Sequence, residues 1–253
     1  DATINSITVG KGANSVAGNT VLGESALDAA VTGGNNTAIG LRSLTTNTSG
    51  SENTAVGVDS LRFQTTGSNN TAIGYTSLNG NTTGSSNTGV GQSTLKVNTS
   101  GDSNTAVGRN ALAANTTGTV NVAVGAYALD ACNTGFNNVG VGTNALGAVT
   151  TGYMNTAVGN NCADAITTGL SNVAIGQSAL GATTTGNNNT AVGTSALESN
   201  TTAADNTGIG RSALLANTTG TANTAIGRLA LAANTTASNN TSVGYQSLNA
   251  NTT

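Results

Sequence analysis

Glycine returns at one fixed interval along most of the chain, at Gly40, Gly57, Gly74, Gly91, Gly108 and onward to Gly244. Gly23 fits one step earlier, which makes fourteen copies. A period this strict makes the chain a stack of like units, each too small to bury a core by itself. The repeat constrains the fold more than any single motif does.

Composition decides what kind of stack it can be. Charged residues are 7% and aromatics 2% of the 253 residues, and the formal charge is -3. Disordered chains of low hydrophobicity carry high net charge and no strict spacing, so the bias toward Asn, Thr, Gly and Ala reads as a repeat scaffold. The seven Lys and Arg are scattered, which argues against nucleic acid and anionic membranes, since both need basic patches. No apolar run approaches the ~18 residues of a membrane span.

With the repeating Gly as position 0, position -4 is Asn in all fourteen copies. Position -3 is Thr or Val, and -1 is always Val, Ile or Leu. Position +3 is small, and +4 is Leu in every copy except at Ala163. An Asn-Thr-Thr-Gly turn or a variant of it follows, as in Asn81–Gly84 and Asn115–Gly118. The pattern predicts an all-β, parallel β-solenoid (a β-roll) of about fourteen coils over 19–253, preceded by an irregular coil over 1–18. Each coil has a first strand over -4 to -1, a corner at the Gly, and a second short strand over +2 to +6 with Leu in the core. A helical turn over +1 to +6 is the weaker alternative, because the segment is short and bounded by Gly.

Successive coils lie about 4.8 Å apart. The column Asn36, Asn53, Asn70, Asn87, Asn104, Asn121, Asn138 and Asn155 can therefore form an amide ladder. Gly40, Gly57, Gly74, Gly91 and Gly108 suit a corner with positive φ. Positions -3 and -1 share one strand face and read as the inward, core-facing set. Position -2 then faces outward. It is Ala, Gly or Ser in every copy but Val21, including Ala38, Ala55, Ala72, Ala106 and Ala157. An outer face kept this small suggests close packing against neighbouring chains, and those alanines are the candidate inter-chain residues. The end at Asn251–Thr253 falls inside a return turn, which suggests a longer protein or end-to-end docking.

The phrases Asn5–Gly10, Asn121–Gly125 and Asn172–Gly176 resemble the head repeats of YadA-like trimeric autotransporter adhesins. The longer unit Asn70–Gly84 is similar to repeats of bacteriophage tail fibres. The resemblance covers nearly the whole chain. It implies a left-handed roll, a homotrimer, and a structural, non-enzymatic shaft in an extracellular, cell-surface or virion appendage. The implied partners are further copies of the chain and a host receptor or glycan.

Catalytic signals are missing from the sequence. There is no His, hence no His-based nucleophilic triad. Acidic residues are scattered, and no Walker lysine or calcium-binding roll signature is present. No cofactor or metal site is predicted. Cys132 takes the turn position +7 and Cys162 the small position +3, two coils apart, too far for a disulfide. Tyr75, Tyr127, Tyr153, Tyr245, Phe63 and Phe136 read as scattered decoration rather than a glycan site. Asn81, Asn115 and Asn217 head N-glycosylation sequons, read as turn residues unless the chain is a eukaryotic secretory product. The alternative function is an ice-binding solenoid using Thr arrays. It is disfavoured because Thr at -3 reads as inward and the +8/+9 pair as facing two ways.

Overall fold

The computed structural model describes residues 1–252. They form an all-β parallel β-solenoid in which each coil is one repeat of the sequence. Among the described residues there is no α-helix, only a short 3-10 turn at Ala13–Ser15. The chain divides into two compact units, Asp1–Ala126 and Tyr127–Thr253.

The first unit opens with a hairpin, β1 (Ala2–Ile4) and β2 (Ile7–Gly10), turned by Asn5 and Ser6, both at positive φ. Two successive positive-φ residues match the right-handed twist of the flanking strands. Strand β2 pairs antiparallel with β3 (Thr20–Gly23). The stretch expected to be one more coil thus runs backwards and covers the edge of the first parallel strand, a site that would otherwise template aggregation. Asp1 fastens the hairpin, its carboxylate accepting from Lys11 N–H at 2.6 Å and Gly12 N–H at 2.7 Å.

From β3 onward the first unit adds one short parallel strand per coil: β4 (Thr37–Ile39), β5 (Thr54–Val56), β6 (Thr71–Ile73), β7 (Thr88–Val90), β8 (Thr105–Val107) and β9 (Val122–Val124). The second unit does the same with β10 (Val139–Val141), β11 (Thr156–Val158), β12 (Val173–Ile175), β13 (Thr190–Val192), β14 (Thr207–Ile209), β15 (Thr224–Ile226) and β16 (Thr241–Val243). Register is the repeat itself: Thr37 pairs Thr54, Ala38 pairs Ala55, and Ile39 pairs Val56.

Only one strand forms in each coil. Positions +2 to +6, expected as a second strand, are a continuous turn with left-handed residues at +2 and +4, as at Arg42 (φ 55°) and Leu44 (φ 51°). A regular strand alternates its side chains and cannot bury two neighbours. The left-handed steps break that alternation, so Ser43 and Leu44 are both buried. The turn still bonds to neighbouring coils, Arg42 N–H to Glu24 C=O at 2.9 Å and Leu44 N–H to Ser60 C=O at 3.1 Å. At position 0 glycine is obligatory. Gly57 has φ 135°, and a Cβ there would lie 2.5 Å from the carbonyl oxygen of Gly74.

The inward face is the reverse of the sequence expectation. Ala38, Ala55, Ala72, Ala106 and Ala157 at -2 are fully buried inside the coil of one chain, so they are core residues and not outward contacts to other chains. Thr at -3 and Val or Ile at -1 point out. The reason is space. A Cβ on Gly140 at -2 would sit 3.3 Å from Leu129, and one on Gly208 would sit 3.2 Å from Leu197. The strand therefore lies directly against the +4 leucines, and from β4 onward the interior takes nothing larger than Ala or Ser at -2.

Enlarging that methyl should cost as overpacking does. Ala157→Val is expected to lose about 1–3 kcal/mol of stability, whereas Thr156→Ser on the outward face should stay within about 0.5 kcal/mol. Chemical denaturation of the two variants checks the direction of the face.

Candidate association surface

Turning -2 inward leaves an outer face built from two columns. In the first unit the -1 column runs Leu22, Ile39, Val56, Ile73, Val90, Val107 and Val124. In the second it runs Val141, Val158, Ile175, Val192, Ile209, Ile226 and Val243. Even mid-unit members such as Ile73 (41%), Val158 (38%) and Ile175 (42%) stay substantially exposed. The -3 column beside it is half-buried Thr, with Val at Val122, Val139 and Val173. Neighbours lie about 4.8 Å apart along a column and about 6.6 Å apart across the strand. Neither column holds a charge. Contiguous exposed apolar surface is often an interaction surface on soluble chains, and in each unit the -1 column is such a strip.

The interior behind the face is polar and fully paired. In the first unit, Asn53 donates its N–H and its Nδ2–H to Asn36 Oδ1 at 3.0 and 3.1 Å, and a second Nδ2–H to Gly67 C=O at 3.0 Å. Asn70, Asn87, Asn104 and Asn121 repeat the donation to the preceding Asn. In the second unit Asn155 does the same to Asn138, with its Nδ2–H reaching Gly169 C=O at 2.8 Å. These side chains are buried throughout.

A second ladder lies at +7, which the sequence reading treats as turn. Asn98 donates to Asn81 and Asn115 to Asn98, both at 2.7 Å, and Asn217 donates to Asn200 at 3.2 Å. The nitrogens of Asn81, Asn115 and Asn217 are therefore buried and engaged, so the folded protein offers no glycosylation at these sequons. Asn115 Oδ1 is the one buried side-chain oxygen or nitrogen without a partner among the described residues. In the second unit the +7 series begins Cys132, Val149, Ile166, Thr183 before asparagine resumes. The signal for this ladder is the recurrence of asparagine at +7 in successive repeats, at Asn81, Asn98 and Asn115 and again at Asn200, Asn217 and Asn234, in a turn that solvent alone would let vary.

The Thr pair of the return turn divides its roles. Thr48 Oγ1 donates to Thr65 C=O at 3.0 Å and Thr82 Oγ1 to Thr99 C=O at 2.9 Å, which ties +8 into the stack. Position +9, as at Thr83 and Thr117, is exposed.

Two aromatic residues share a column after all. Phe136 and Tyr153 both occupy +11 and stack with centroids 4.8 Å apart and planes 5° apart. Leu170 follows at +11, and exposed Met154 lies next to Tyr153 in sequence. Tyr245 lies beneath Arg228 and Phe63 beneath Arg62, at 5.7 and 4.8 Å.

Several charged groups pair locally or line the turns. Arg42 binds Asp59 through two 2.8 Å contacts, with Arg62 at 3.6 Å. Asp130, Asp164 and Glu198 alternate with Gly147 and Gly181 at +5. Asp164, Glu198 and Gly181 line an open groove of about 720 Å³. Burial raises the carboxyl pKa of Asp130 and of Asp164. Both cysteines are free and buried, and burial pushes the thiol of Cys132 up to about 12 and that of Cys162 up to about 11. Among the described residues no group of His, Cys, Asp or Glu is arranged to hold a metal, and no helix is long and apolar enough to cross a membrane. No protein-family model, curated protein or solved structure matches the chain.

Removing one rung of the buried ladder should be severe. Asn70→Ala deletes the acceptor for two Asn87 donors and is expected to cost about 3 kcal/mol or more, against less than about 0.5 kcal/mol for Thr71→Ser, read by thermal or urea unfolding. The raised carboxyl groups fix a pH dependence. A raised folded-state pKa favours the protonated fold, so stability is fullest below the ordinary carboxylate range and falls as pH rises through the folded value. Asp164→Asn should flatten that decline in melting temperature measured from acid to neutral pH.

Proposed function

We propose that the chain is the structural shaft of an attachment fibre, an extracellular or virion appendage in which copies pack side by side through the Thr/Val–Ile face. The observation that carries this reading is the uncharged -1 column of β-branched residues left uncovered by its own chain. Water is a poor neighbour for such a strip. Its ridges repeat every ~4.8 Å, and a second copy of this chain is the surface that carries ridges at the same period. Three copies around a common axis, as the adhesin and tail-fibre resemblance implies, would bury each face symmetrically. The protein is then non-enzymatic and presents or spaces a tip that meets a receptor or glycan.

A second reading, ice binding, gains from the same correction. Thr at -3 faces outward in a regular column, as at Thr54, Thr71, Thr190 and Thr207. The two readings compete for one face, because a face covered by copies is closed to ice.

Sedimentation equilibrium together with thermal hysteresis separates them. The shaft reading expects a trimer without hysteresis. Val107→Lys and Val158→Lys, both on the outward face, should dissociate it into folded monomers. A monomeric wild type overturns the shaft reading, and hysteresis in that monomer establishes the second one.

A further inference from the structure

A periodic face has a weakness as an interface. Slid by one coil, about 4.8 Å, it still sets Val against Val and Thr against Thr. Register in a repeating pair is weakly specified unless something breaks the repeat. The second unit breaks it in one place. At +11, where the coils of this unit otherwise hold Asn187, Ala204, Thr221 and Ser238, three successive coils hold Phe136, Tyr153 and Leu170. Exposed Met154 adjoins them at +12, and the -3 column is Val at Val139 and Val173 within the same stretch.

This island is not explained by the needs of the coil stack. Polar side chains at +11 can cap the backbone of the preceding coil, as where Leu170 N–H donates to Asn187 Oδ1 at 2.9 Å and Thr221 N–H to Ser238 Oγ at 3.0 Å. Phe136 and Tyr153 N–H have no such cap, since the next coils carry Tyr153 and Leu170 in the capping place. The run gives up backbone hydrogen bonds and leaves Phe136 37% and Met154 52% exposed. The mutual stacking of Phe136 and Tyr153 also occupies ring faces that a sugar would need. The turn carrying the column runs directly into the strand, just before the -3 position, so the island flanks the association face.

We propose that the Phe136–Tyr153–Leu170 column, with Met154, Val139 and Val173, is the contact that sets register between side-by-side copies of this chain. The assignment rests on the reading of the outer face as a self-association surface. At zero offset each island meets its counterpart. A slip of one coil already sets Phe136 and Leu170 against the polar +11 side chains Thr119 and Asn187 of a neighbour, and a slip of three coils unpairs the whole island, which favours zero offset by at least about tenfold.

The test places a nitroxide on Thr219→Cys, an exposed +9 site, and reads inter-copy distances by pulsed dipolar spectroscopy beside sedimentation. The native thiols are buried, with pKa pushed up to about 12 and about 11, and stay unlabelled. The otherwise unaltered chain should give one distance. Phe136→Ser, Tyr153→Ser and Leu170→Ser together, which install the residue type of other coils, should keep the fold and the association while spreading distances in steps of about 4.8 Å. Adding Asn187→Phe, Ala204→Tyr and Thr221→Leu moves the island three coils on and should restore one distance. A single distance in the serine variant, or several in the unaltered chain, overturns the register assignment while leaving self-association intact. A monomeric chain by sedimentation overturns both. If the serine variant does not fold, a mixture of the unaltered chain with the variant carrying both islands decides, because the single island can then meet either island of its neighbour: a second distance, shifted by three coils, supports the assignment, and an unchanged single distance overturns it.

Discussion

The structure depends on one buried amide. The asparagine at -4 gives its Oδ1 to two donors of the following coil and its Nδ2 hydrogens to the preceding asparagine and to the +10 carbonyl, as Asn53 and Asn70 show. A primary amide has two donors and one acceptor oxygen, and here every one is used. A buried polar group without a partner would cost more than the net gain of any single bond. The ladder therefore accepts nothing but another coil in the same register. This lets a stack with so little apolar interior hold a single registry, and the second ladder at +7 reinforces it along much of each unit.

The thin interior follows from the same arrangement. The strand and the +3/+4 segment close on each other across the coil, with leucine on one side and a methyl on the other. Two consequences follow. The core cannot hold the large residues of the strand, so they are turned out. The turn must also bury two neighbours, so it takes left-handed conformations at leucine and at +2 that cost about 1–2 kcal/mol per residue in isolation. Inter-coil hydrogen bonds on both sides of the turn hold it there. The outward valines and isoleucines that could bind a partner are thus a by-product of how narrow the coil is.

The departures from the repeat gain meaning against that background. In the second unit the +7 ladder gives way to Cys132, Val149 and Ile166 over the same coils in which +11 becomes aromatic or aliphatic and +5 alternates acid with glycine. One short stretch is therefore less polar inside and stickier outside than the rest. A chain built only to stack would have no reason to concentrate these changes. Phe136 and Tyr153 were legible as a pair, because they stand one repeat apart, but only to a reading that tracks +11 as a column.

The sequence by itself determined the period, the parallel solenoid, the glycine corner and the amide ladder, because each is a local requirement repeated many times over. It also separated the strand residues into two faces. Which face is inward was decided only by the tertiary structure. Alternation defines two sets without a sign, and the usual preference of Val and Ile for the interior pointed the wrong way. The sign depends on the distance to the opposite wall, set by Leu44 and its equivalents across the coil, and no spacing along the chain encodes that distance. The same holds for +2 to +6, whose left-handed steps arise from packing two adjacent side chains inward and not from any turn residue in the sequence.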